Sequence, residues 1–244
     1  MKDNRFVEIL GYKIFRNSKI EALELIKSFK KVNVISGNPE VIYNALNNKV
    51  LEENFKSDNS FIIPDGIGIK IAAKLLKMEV KEKIAGIELM MDIISYCEEN
   101  NKSIYLIGAK DETLKACVAN LIVKYPNLNI AGYHNGYFNE EKEVEIVKDI
   151  KVKSPEAIFV AMGSPRQDIF ITKYMEEVPA KIFMGVGGSF DVIGEKVNRA
   201  PRWMINLGLE WLYRVTKEPY RIKRLISIPK FLLMVVKSKG RMNN

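Results

Sequence analysis

Residues 157–167 read Ala-Ile-Phe-Val-Ala-Met-Gly-Ser-Pro-Arg-Gln, an unbroken apolar run that ends in a loop of small residues. Strands that are apolar without alternation are buried on both faces, as in a parallel sheet covered by helices on each side. Similar apolar runs occur at 32–35, 61–63, 104–107 and 182–186. Between them, apolar residues recur at helical spacing, for example at Ala22, Leu25, Ile26 and Phe29. The sequence therefore predicts an α/β fold of repeated βα units.

The N-terminal segment has a different pattern. Residues 6–10 and 12–15 alternate between apolar and polar side chains on either side of Gly11. Alternation with a period of two around a glycine is typical of a β-hairpin. A small N-terminal hairpin is therefore expected before the first βα unit.

Four loops that follow predicted strands are rich in small residues. They are residues 36–40, 64–68, 163–167 and 185–191. In parallel sheets, ligands bind beyond the carboxyl ends of the strands, where backbone N–H groups of the next helix can hold a phosphate. Glycine is also common in such turns without any ligand. Because none of the four loops is a complete G-x-G-x-x-G fingerprint, an anion site is favoured over a nicotinamide site, and no cofactor is expected.

Asp65 lies between a proline and a glycine at the end of a predicted strand. A carboxylate there can be positioned as a general base. It can equally be the N-cap of a helix that starts near Ile67. Asp191 is open to the same two interpretations, and the local sequence does not choose between them.

Several catalytic chemistries are disfavoured. The chain has one histidine, His134, in a segment (132–136) predicted to be a turn, and it lacks a G-x-S-x-G motif, so a Ser-His-Asp hydrolase is not expected. No D-x-D pair is present to hold a metal ion against a diphosphate, so no metal is expected. A departing diphosphate would then be neutralised by Lys83, Arg166, Gln167 and helix N-termini.

The positive charge is concentrated in the C-terminal segment. Residues 199–244 hold 11 Lys and Arg against two acids, a net charge of +9, whereas residues 1–198 net −1. This segment also contains Trp203, Trp211 and the six-residue apolar run 231–236, which is too short to span a bilayer. Mixed cationic and apolar surface is typical of a segment that lies on an anionic membrane. Nucleic acid is the weaker alternative because no recognition motif accompanies the charge.

Basic residues in this segment are spaced for one helical face. Arg214, Lys217, Arg221 and Arg224 are separated by 3, 4 and 3 positions, although Pro219 favours two shorter helices over one. No secretory leader is visible at the N-terminus. We therefore expect a cytoplasmic protein, peripheral on the inner face of the plasma membrane.

Seven motifs, taken in order, carry a resemblance to the WecG/TagA/CpsF glycosyltransferase family over essentially the whole chain. They are Ser36-Gly-Asn-Pro-Glu40, Pro64-Asp-Gly-Ile-Gly68, Lys83-Ile-Ala-Gly86, Gly163-Ser-Pro-Arg-Gln167, Gly185-Val-Gly-Gly-Ser-Phe-Asp191, Arg199-Ala-Pro201 and Gly208-Leu-Glu-Trp-Leu-Tyr-Arg214. The chain is most similar to the branch that serves wall teichoic acid synthesis. That similarity implies transfer of N-acetylmannosamine from UDP to undecaprenyl-diphosphate-linked N-acetylglucosamine, with inversion and without a metal. A related transferase using another UDP-sugar is the first alternative, and a nicotinamide-dependent dehydrogenase is the alternative from another class.

The resemblance also implies residue roles. Asp65 matches the proposed base, and Gln167 matches a residue near the donor diphosphate, with Lys83 as the third catalytic residue. The donor-binding set is Ser36, Asn38, Gly66, Arg166, Gly187, Gly188 and Asp191. The set that meets the lipid diphosphate of the acceptor is Arg214, Arg221 and Arg224. Lys83 stands where the family usually has arginine, so its grip on a diphosphate lacks the planar fork.

The expected organisation is a Rossmann-like catalytic core, residues 1–195, followed by a basic amphipathic helical appendage, residues 196–244, that docks on the bilayer and covers the site. The expected partners are a UDP-sugar donor, a polyprenyl-diphosphate-linked acceptor and an anionic membrane surface, with no nucleic acid. The family resemblance also allows a homo-oligomer through the core.

Overall fold

A computed structural model describes residues 3–206, 209–217 and 227–242 of the chain. Within these residues eight strands form one mixed sheet. The strands are β1 (Phe6–Ile9), β2 (Tyr12–Phe15), β3 (Val32–Gly37), β4 (Ser60–Pro64), β5 (Ser103–Gly108), β6 (Asn129–His134), β7 (Ala157–Ala161) and β8 (Ile182–Gly185). All five apolar runs that the sequence singles out are strands, so the α/β prediction is confirmed.

The predicted N-terminal hairpin is present. Strands β1 and β2 pair antiparallel, with Val7 opposite Ile14. Strand β2 then pairs in parallel with β4 through Ile14 and Ile62. The hairpin therefore extends one edge of the sheet.

The order of strands across the sheet is β1-β2-β4-β3-β8-β7-β5-β6, and every pairing except β1 with β2 is parallel. Val41 and Ile42, which follow β3, pack on one face of the sheet, and Phe190, which follows β8, packs on the other face. The chain therefore leaves the neighbouring strands β3 and β8 toward opposite faces, so their carboxyl ends flank a topological switch point. Ligand sites in open α/β sheets form at such a point.

Helices cover both faces of the sheet. They are α1 (Lys19–Ser28), α2 (Pro39–Leu46), α3 (Lys49–Phe55), α4 (Ile67–Leu75), α5 (Gly86–Glu99), α6 (Asp111–Lys124), α7 (Glu140–Lys153), α8 (Arg166–Tyr174), α9 (Ser189–Ile193), α10 (Arg202–Asn206), α11 (Glu210–Lys217) and α12 (Ser227–Met242). Side chains of one strand alternate between faces: Phe61 and Ile63 pack in the core with α1, α5 and α6, and Ile62 packs with α2, α3 and α4. Burial on both faces explains the continuous apolar runs.

One predicted turn is a strand. Gly132, Tyr133 and His134 end β6, so the interpretation of residues 132–136 as a turn is wrong for these three. Among the described strands, β6 pairs only with β5, at the sheet edge, and its side chains are partly or largely exposed. An edge strand needs no apolar run, which is why the sequence pattern does not reveal it.

The C-terminal helix α12 lies against the core. Phe231 and Val235 are 0% exposed and belong to the cluster that α2 and α4 form under the sheet. On the opposite side of α12, Leu233 and Val236 are 55% and 51% exposed. The apolar run 231–236 therefore divides between the core and the surface. No helix in the described parts of the chain is long and apolar enough to cross a bilayer.

Candidate active site

A cavity of about 570 Å³ opens at the carboxyl edge of the sheet. Its walls come from the loops after β3, β4, β7 and β8, which are the four loops that the sequence predicts, and from the tail helices. Predicted site residues that line it are Ser36, Asn38, Asp65, Gly66, Lys83, Gln167, Gly187 and Gly188. The structure thus brings eight of the predicted residues together at one site.

Asp65 is the residue that follows β4, and its carboxylate faces the start of α5. Helix α4 has Gly66 as its N-cap, without any side-chain cap, so the N-cap interpretation of Asp65 is wrong. The N–H of Gly86, the first residue of α5, donates to Asp65 Oδ2 at 3.4 Å. Asp65 is half-buried, and this hydrogen bond holds its carboxylate at the cavity wall.

Close packing at Gly86 brings β3, β4 and α5 together. A Cβ atom added at Gly86 would lie 2.4 Å from Ser36 Oγ and 3.3 Å from Asp65 Oδ2. Contacts that short leave no room for a side chain at this position. The absence of a side chain at residue 86 thus allows the hydroxyl of Ser36 and the carboxylate of Asp65 to share one corner of the cavity.

Gln167 lies on the other side of the cavity, in the first turn of α8. It is 4% exposed. Its Oε1 accepts hydrogen bonds from the N–H of Gly163 at 3.2 Å and from the N–H of Gly187 at 2.9 Å. With both acceptor positions of Oε1 occupied by the backbone, the amide NH₂ is what Gln167 can offer to a ligand.

Asn38 has a structural role as well as a place in the wall. Its Oδ1 accepts from the N–H groups of Glu40 and Val41, each at 3.0 Å, which caps α2. Its Nδ2 donates to the carbonyl of Ser36 at 3.4 Å. Asn38 therefore fixes the loop after β3 and leaves one amide N–H toward the cavity.

Lys83 is the one Lys or Arg among the described residues that line the cavity. Its Nζ donates to the carbonyl of Ile205, at the end of α10, at 3.2 Å. Three carboxylate residues, Glu40, Asp65 and Glu210, line the same cavity. A nucleotide diphosphate would consequently need positive charge beyond Lys83. In the part of the chain that the structure describes, no three Asp, Glu, His or Cys side chains group as metal ligands do.

The tail forms part of the cavity wall through α11 and α12. The residues are Glu210, Val215, Ser227, Ile228 and Pro229. Arg199 Nη2 donates to Glu88 Oε1 at 2.8 Å, and Arg199 Nε lies 3.8 Å from Glu210 Oε1. This ion-pair cluster links α5 in the core to the start of α11.

Two predicted donor-binding residues are not among the described residues that line the cavity. Arg166 is exposed, and its guanidinium lies 5.6 Å from the centre of the Phe138 ring. Asp191 is in the short helix α9. Of the predicted tail arginines, Arg214 is in α11, and Arg221 and Arg224 lie outside the described residues.

Sequence reasoning missed Asp168, which follows Gln167 in α8. Asp168 is 4% exposed, and its Oδ2 is buried without a hydrogen-bond partner in the described structure. Burial raises the pKa of Asp168 to about 6, against hydrogen bonds from the side chains of Ser164 and Gln167, which lower it. Acidic residues are common in the first turn of a helix, so the sequence around Asp168 gives no particular signal. Its position next to Gln167 is the one feature that could have drawn attention to it.

A family comparison decides the class of this site. The model of the glycosyl transferase WecG/TagA/CpsF family matches residues 7–244. The chain belongs to this family of glycosyltransferases. Five of the seven motifs that carried the resemblance, those between Ser36 and Asp191, contribute residues to the cavity wall, and so does the seventh through Glu210.

Relatives of this glycosyltransferase carry a common name, N-acetylglucosaminyldiphosphoundecaprenol N-acetyl-beta-D-mannosaminyltransferase. One from Bacillus subtilis (strain 168) is 39% identical over 202 residues, covering 83% of this chain and 78% of its own length. One from Staphylococcus aureus (strain MW2) is 34% identical over 241 residues, covering 96% of this chain and 94% of its own. The similarity thus includes the tail as well as the sheet.

Proposed function

We propose that this glycosyltransferase moves N-acetylmannosamine from UDP to N-acetylglucosamine carried on undecaprenyl diphosphate, with inversion and without a metal, as a step of wall teichoic acid synthesis. The observation that carries the proposal is the placement of Asp65 and Gln167 in one cavity of a chain whose relatives bear that name. A Rossmann-like core supplies the site, and residues 196–244 supply a membrane-binding appendage.

The strand order supports an inverting displacement. Asp65 follows β4 and Gln167 follows β7, and strands β3 and β8 lie between them. Three steps at a spacing of about 4.8 Å separate the two strands by roughly 14 Å. A sugar ring fits between side chains that reach in from the two ends. The base and the leaving group therefore lie on opposite sides of the anomeric carbon, as inversion requires.

In the proposed reaction, Asp65 takes the proton from the acceptor hydroxyl as its oxygen attacks the anomeric carbon. The bond from that carbon to the β-phosphate oxygen breaks, and the electron pair leaves with UDP. The N–H of Gly86 holds the carboxylate in place, and the hydroxyl of Ser36 lies in the same corner of the cavity. A positioned carboxylate of this kind contributes about 10²-fold or more to the rate.

The departing diphosphate is stabilised by preorganised donors. The amide NH₂ of Gln167 and the glycines after β8 supply neutral donors in the cavity, and Lys83 supplies a charge. Arg214, Arg221 and Arg224, together with Arg166 and Asp191, are proposed to complete the donor and acceptor sites. The carboxylates of Glu40, Asp65 and Glu210 make that additional positive charge necessary.

The acceptor chemistry supports a peripheral membrane location. A polyprenyl chain stays in the bilayer, so the cavity must reach a diphosphate at the membrane surface. Exposed apolar side chains of the tail, among them Trp203, Leu233 and Val236, are available for that contact. We place the enzyme on the inner face of the plasma membrane.

The test is product analysis with the full-length protein. A short-chain polyprenyl-diphosphate N-acetylglucosamine acceptor is incubated with UDP-N-acetylmannosamine, the corresponding uronic acid or a UDP-hexose, and the product mass is measured. We expect the mass of one added N-acetylmannosamine, in the presence or absence of a chelator. Transfer of another sugar would show that UDP-N-acetylmannosamine is not the donor. Activity that needs added magnesium would contradict the metal-free mechanism.

A further inference from the structure

The sixth of the seven motifs, Arg199-Ala-Pro201, has no part in the proposed reaction. Pro201 starts helix α10, because its carbonyl accepts from the N–H groups of Met204 and Ile205 at 2.9 and 3.1 Å. Arg199 precedes this helix and is not among the described residues that line the cavity. Its contacts therefore lie elsewhere.

The guanidinium of Arg199 lies between carboxylates of two helices. Nη2 donates to Oε1 of Glu88, in the first turn of α5, at 2.8 Å. Nε lies 3.8 Å from Oε1 of Glu210, the first residue of α11. The side chains of Arg199 and Glu210 are 26% and 22% exposed, so water screens this pair less than an ion pair on the open surface. These three side chains, the Arg199 bridge, join the core helix α5 to the tail helix α11.

The contact with Glu210 is short of a hydrogen bond. Arg199 Nε is buried and has no hydrogen-bond partner among the described residues. A buried N–H of a charged group without a partner lowers stability. A carboxylate accepts from several donors at once, so Glu210 can take this N–H in addition to its other contacts. A shift of α11 by roughly 1 Å would bring the two atoms to hydrogen-bond distance.

A second polar contact joins the same two parts of the chain. Lys83, three residues before the start of α5, donates from Nζ to the carbonyl of Ile205, at the end of α10, at 3.2 Å. Between Lys83 and Glu88, the N–H of Gly86 donates to Asp65 Oδ2 at 3.4 Å. Residues 83–88 therefore carry both contacts with the tail and the N–H that holds the base.

We propose that Arg199 is a positioning residue that holds α11 against the start of α5 and so fixes the tail wall of the cavity relative to Asp65. This inference rests on the proposed function, in which Asp65 takes the proton of the acceptor and the tail arginines meet the acceptor diphosphate. Arg214 comes four residues after Glu210 in α11. The Arg199 bridge thus sets the distance between the diphosphate and the base, and the rate depends steeply on such a distance.

The first test is hydrogen exchange of the full-length protein without substrates, read by mass spectrometry of its peptides. We expect Arg199→Ala to speed exchange of the α11 amides about tenfold, because a charge-assisted contact no longer opposes local opening of this helix. Exchange in α12, which Phe231 and Val235 anchor in the core, should not change. Unchanged exchange in α11 would overturn the inference, whether or not the protein transfers sugar.

Lys19→Ala is the matched control. Lys19 Nζ lies 2.8 Å from Oδ2 of Asp92, one turn after Glu88 on α5. The distance equals that of the pair of Arg199 with Glu88, and the exposed fractions are similar, 28% and 35% against 26% and 44%. Lys19 belongs to the core helix α1, so its loss should leave both the exchange of α11 and turnover unchanged. Equal effects of the two substitutions would reflect ion pairing of α5 in general and would overturn the inference.

The second test is kinetic. In Arg199→Ala we expect kcat/KM for the acceptor to fall about tenfold, while the dissociation constant of UDP changes less than about twofold, because the proposed donor loops belong to the core. Glu88→Ala should cause the same loss. The double variant should lose less than about twofold beyond either single variant, because both substitutions break one bridge. Losses that multiply in the double variant would show two independent effects and would contradict the Arg199 bridge.

The two tests separate the two proposals. If the wild-type protein transfers none of the sugars offered, the proposed function fails, and hydrogen exchange still decides whether Arg199 holds α11. If transfer is found and the exchange of α11 in Arg199→Ala is unchanged, the function stands and the inference fails.

Discussion

Asp65 is where the local sequence and the structure differ most at the scale of single residues. The sequence left a helix cap and a catalytic base as alternatives, and the structure gives the N-cap position to Gly66. The carboxylate instead accepts from the first N–H of a different helix, α5. That long-range contact between β4 and α5 has no signal in the residues around Asp65.

Replacing Asp65 with asparagine tests the base. Asn can still accept the hydrogen bond from Gly86, but it cannot take a proton at neutral pH. We expect Asp65→Asn to reduce turnover by about 10²-fold or more. UDP binding, measured by calorimetry, should change little. Turnover near the wild-type rate would remove Asp65 from the mechanism.

Asp168 predicts an unusual dependence of stability on pH. Its pKa is raised from 3.8 to about 6, chiefly by burial, with the charge of Glu40 also raising it. Between these two values the folded state binds more protons than the unfolded state, so this group reduces stability as pH rises through the window. Above about pH 6 the ionised, buried carboxylate lowers the unfolding free energy by its full amount, roughly 2 to 3 kcal/mol.

Asp168→Asn should therefore gain stability relative to wild type as pH rises. We expect the difference in unfolding free energy between variant and wild type to move by roughly 2 kcal/mol in the variant's favour from pH 4.5 to pH 7.5. Urea unfolding at the two pH values measures it. An equal difference at both values would show that Asp168 is not a buried carboxylate of raised pKa.

At the scale of elements, continuous apolar runs were sufficient to predict the central strands. The five central strands are buried on both faces, so their sequences consist mostly of apolar residues. These strands are β3, β4, β5, β7 and β8. Strand β6 escaped because an edge strand is exposed and its sequence is polar. Helix α12 was recognised as apolar, but only the fold shows that α2 and α4 cover one side of it.

Helix α12 allows a matched pair of substitutions. Phe231 is 0% exposed, and its truncation leaves a cavity beneath the sheet. We expect Phe231→Ala to lower the unfolding free energy by about 3 kcal/mol, measured by urea denaturation. Leu233→Ala, two positions away on the exposed side, should change it by less than about 0.5 kcal/mol. If both substitutions changed the unfolding free energy by the same small amount, residues 196–244 would be an appendage independent of the core.

For the whole molecule, charge and packing assign two roles to the tail. Residues 199–244 carry a net charge of +9, while the preceding 198 residues net −1, so the molecule is strongly polarised along the chain. Five of the described residues of this segment line the cavity. The sequence predicted the charge and the resemblance implied the cover over the site. The composition gives no indication that part of the tail also belongs to the core.

This double role decides how membrane binding should be tested. Deleting the tail would remove Phe231 and Val235 from the core, so lost binding would be confounded with unfolding. Point substitutions on the exposed side of α12 avoid the problem. Leu233 and Val236 are one turn apart there, next to the exposed Lys237. Apolar side chains beside a cation are suited to an anionic bilayer surface.

Leu233→Ser with Val236→Ser should weaken binding to phosphatidylglycerol vesicles by about tenfold or more, because each side chain loses apolar area that enters the interface. Co-sedimentation measures the partition. Ile20→Ser is the control: Ile20 is 74% exposed, more than either tail residue, and lies on α1. If exposure alone drove binding, Ile20→Ser would weaken it as much.

Because the cavity must meet a lipid-borne diphosphate, the double variant should also lose turnover on vesicle-bound acceptor while keeping it on a short, water-soluble one. Equal losses on both acceptors would place these side chains in catalysis and not at the membrane.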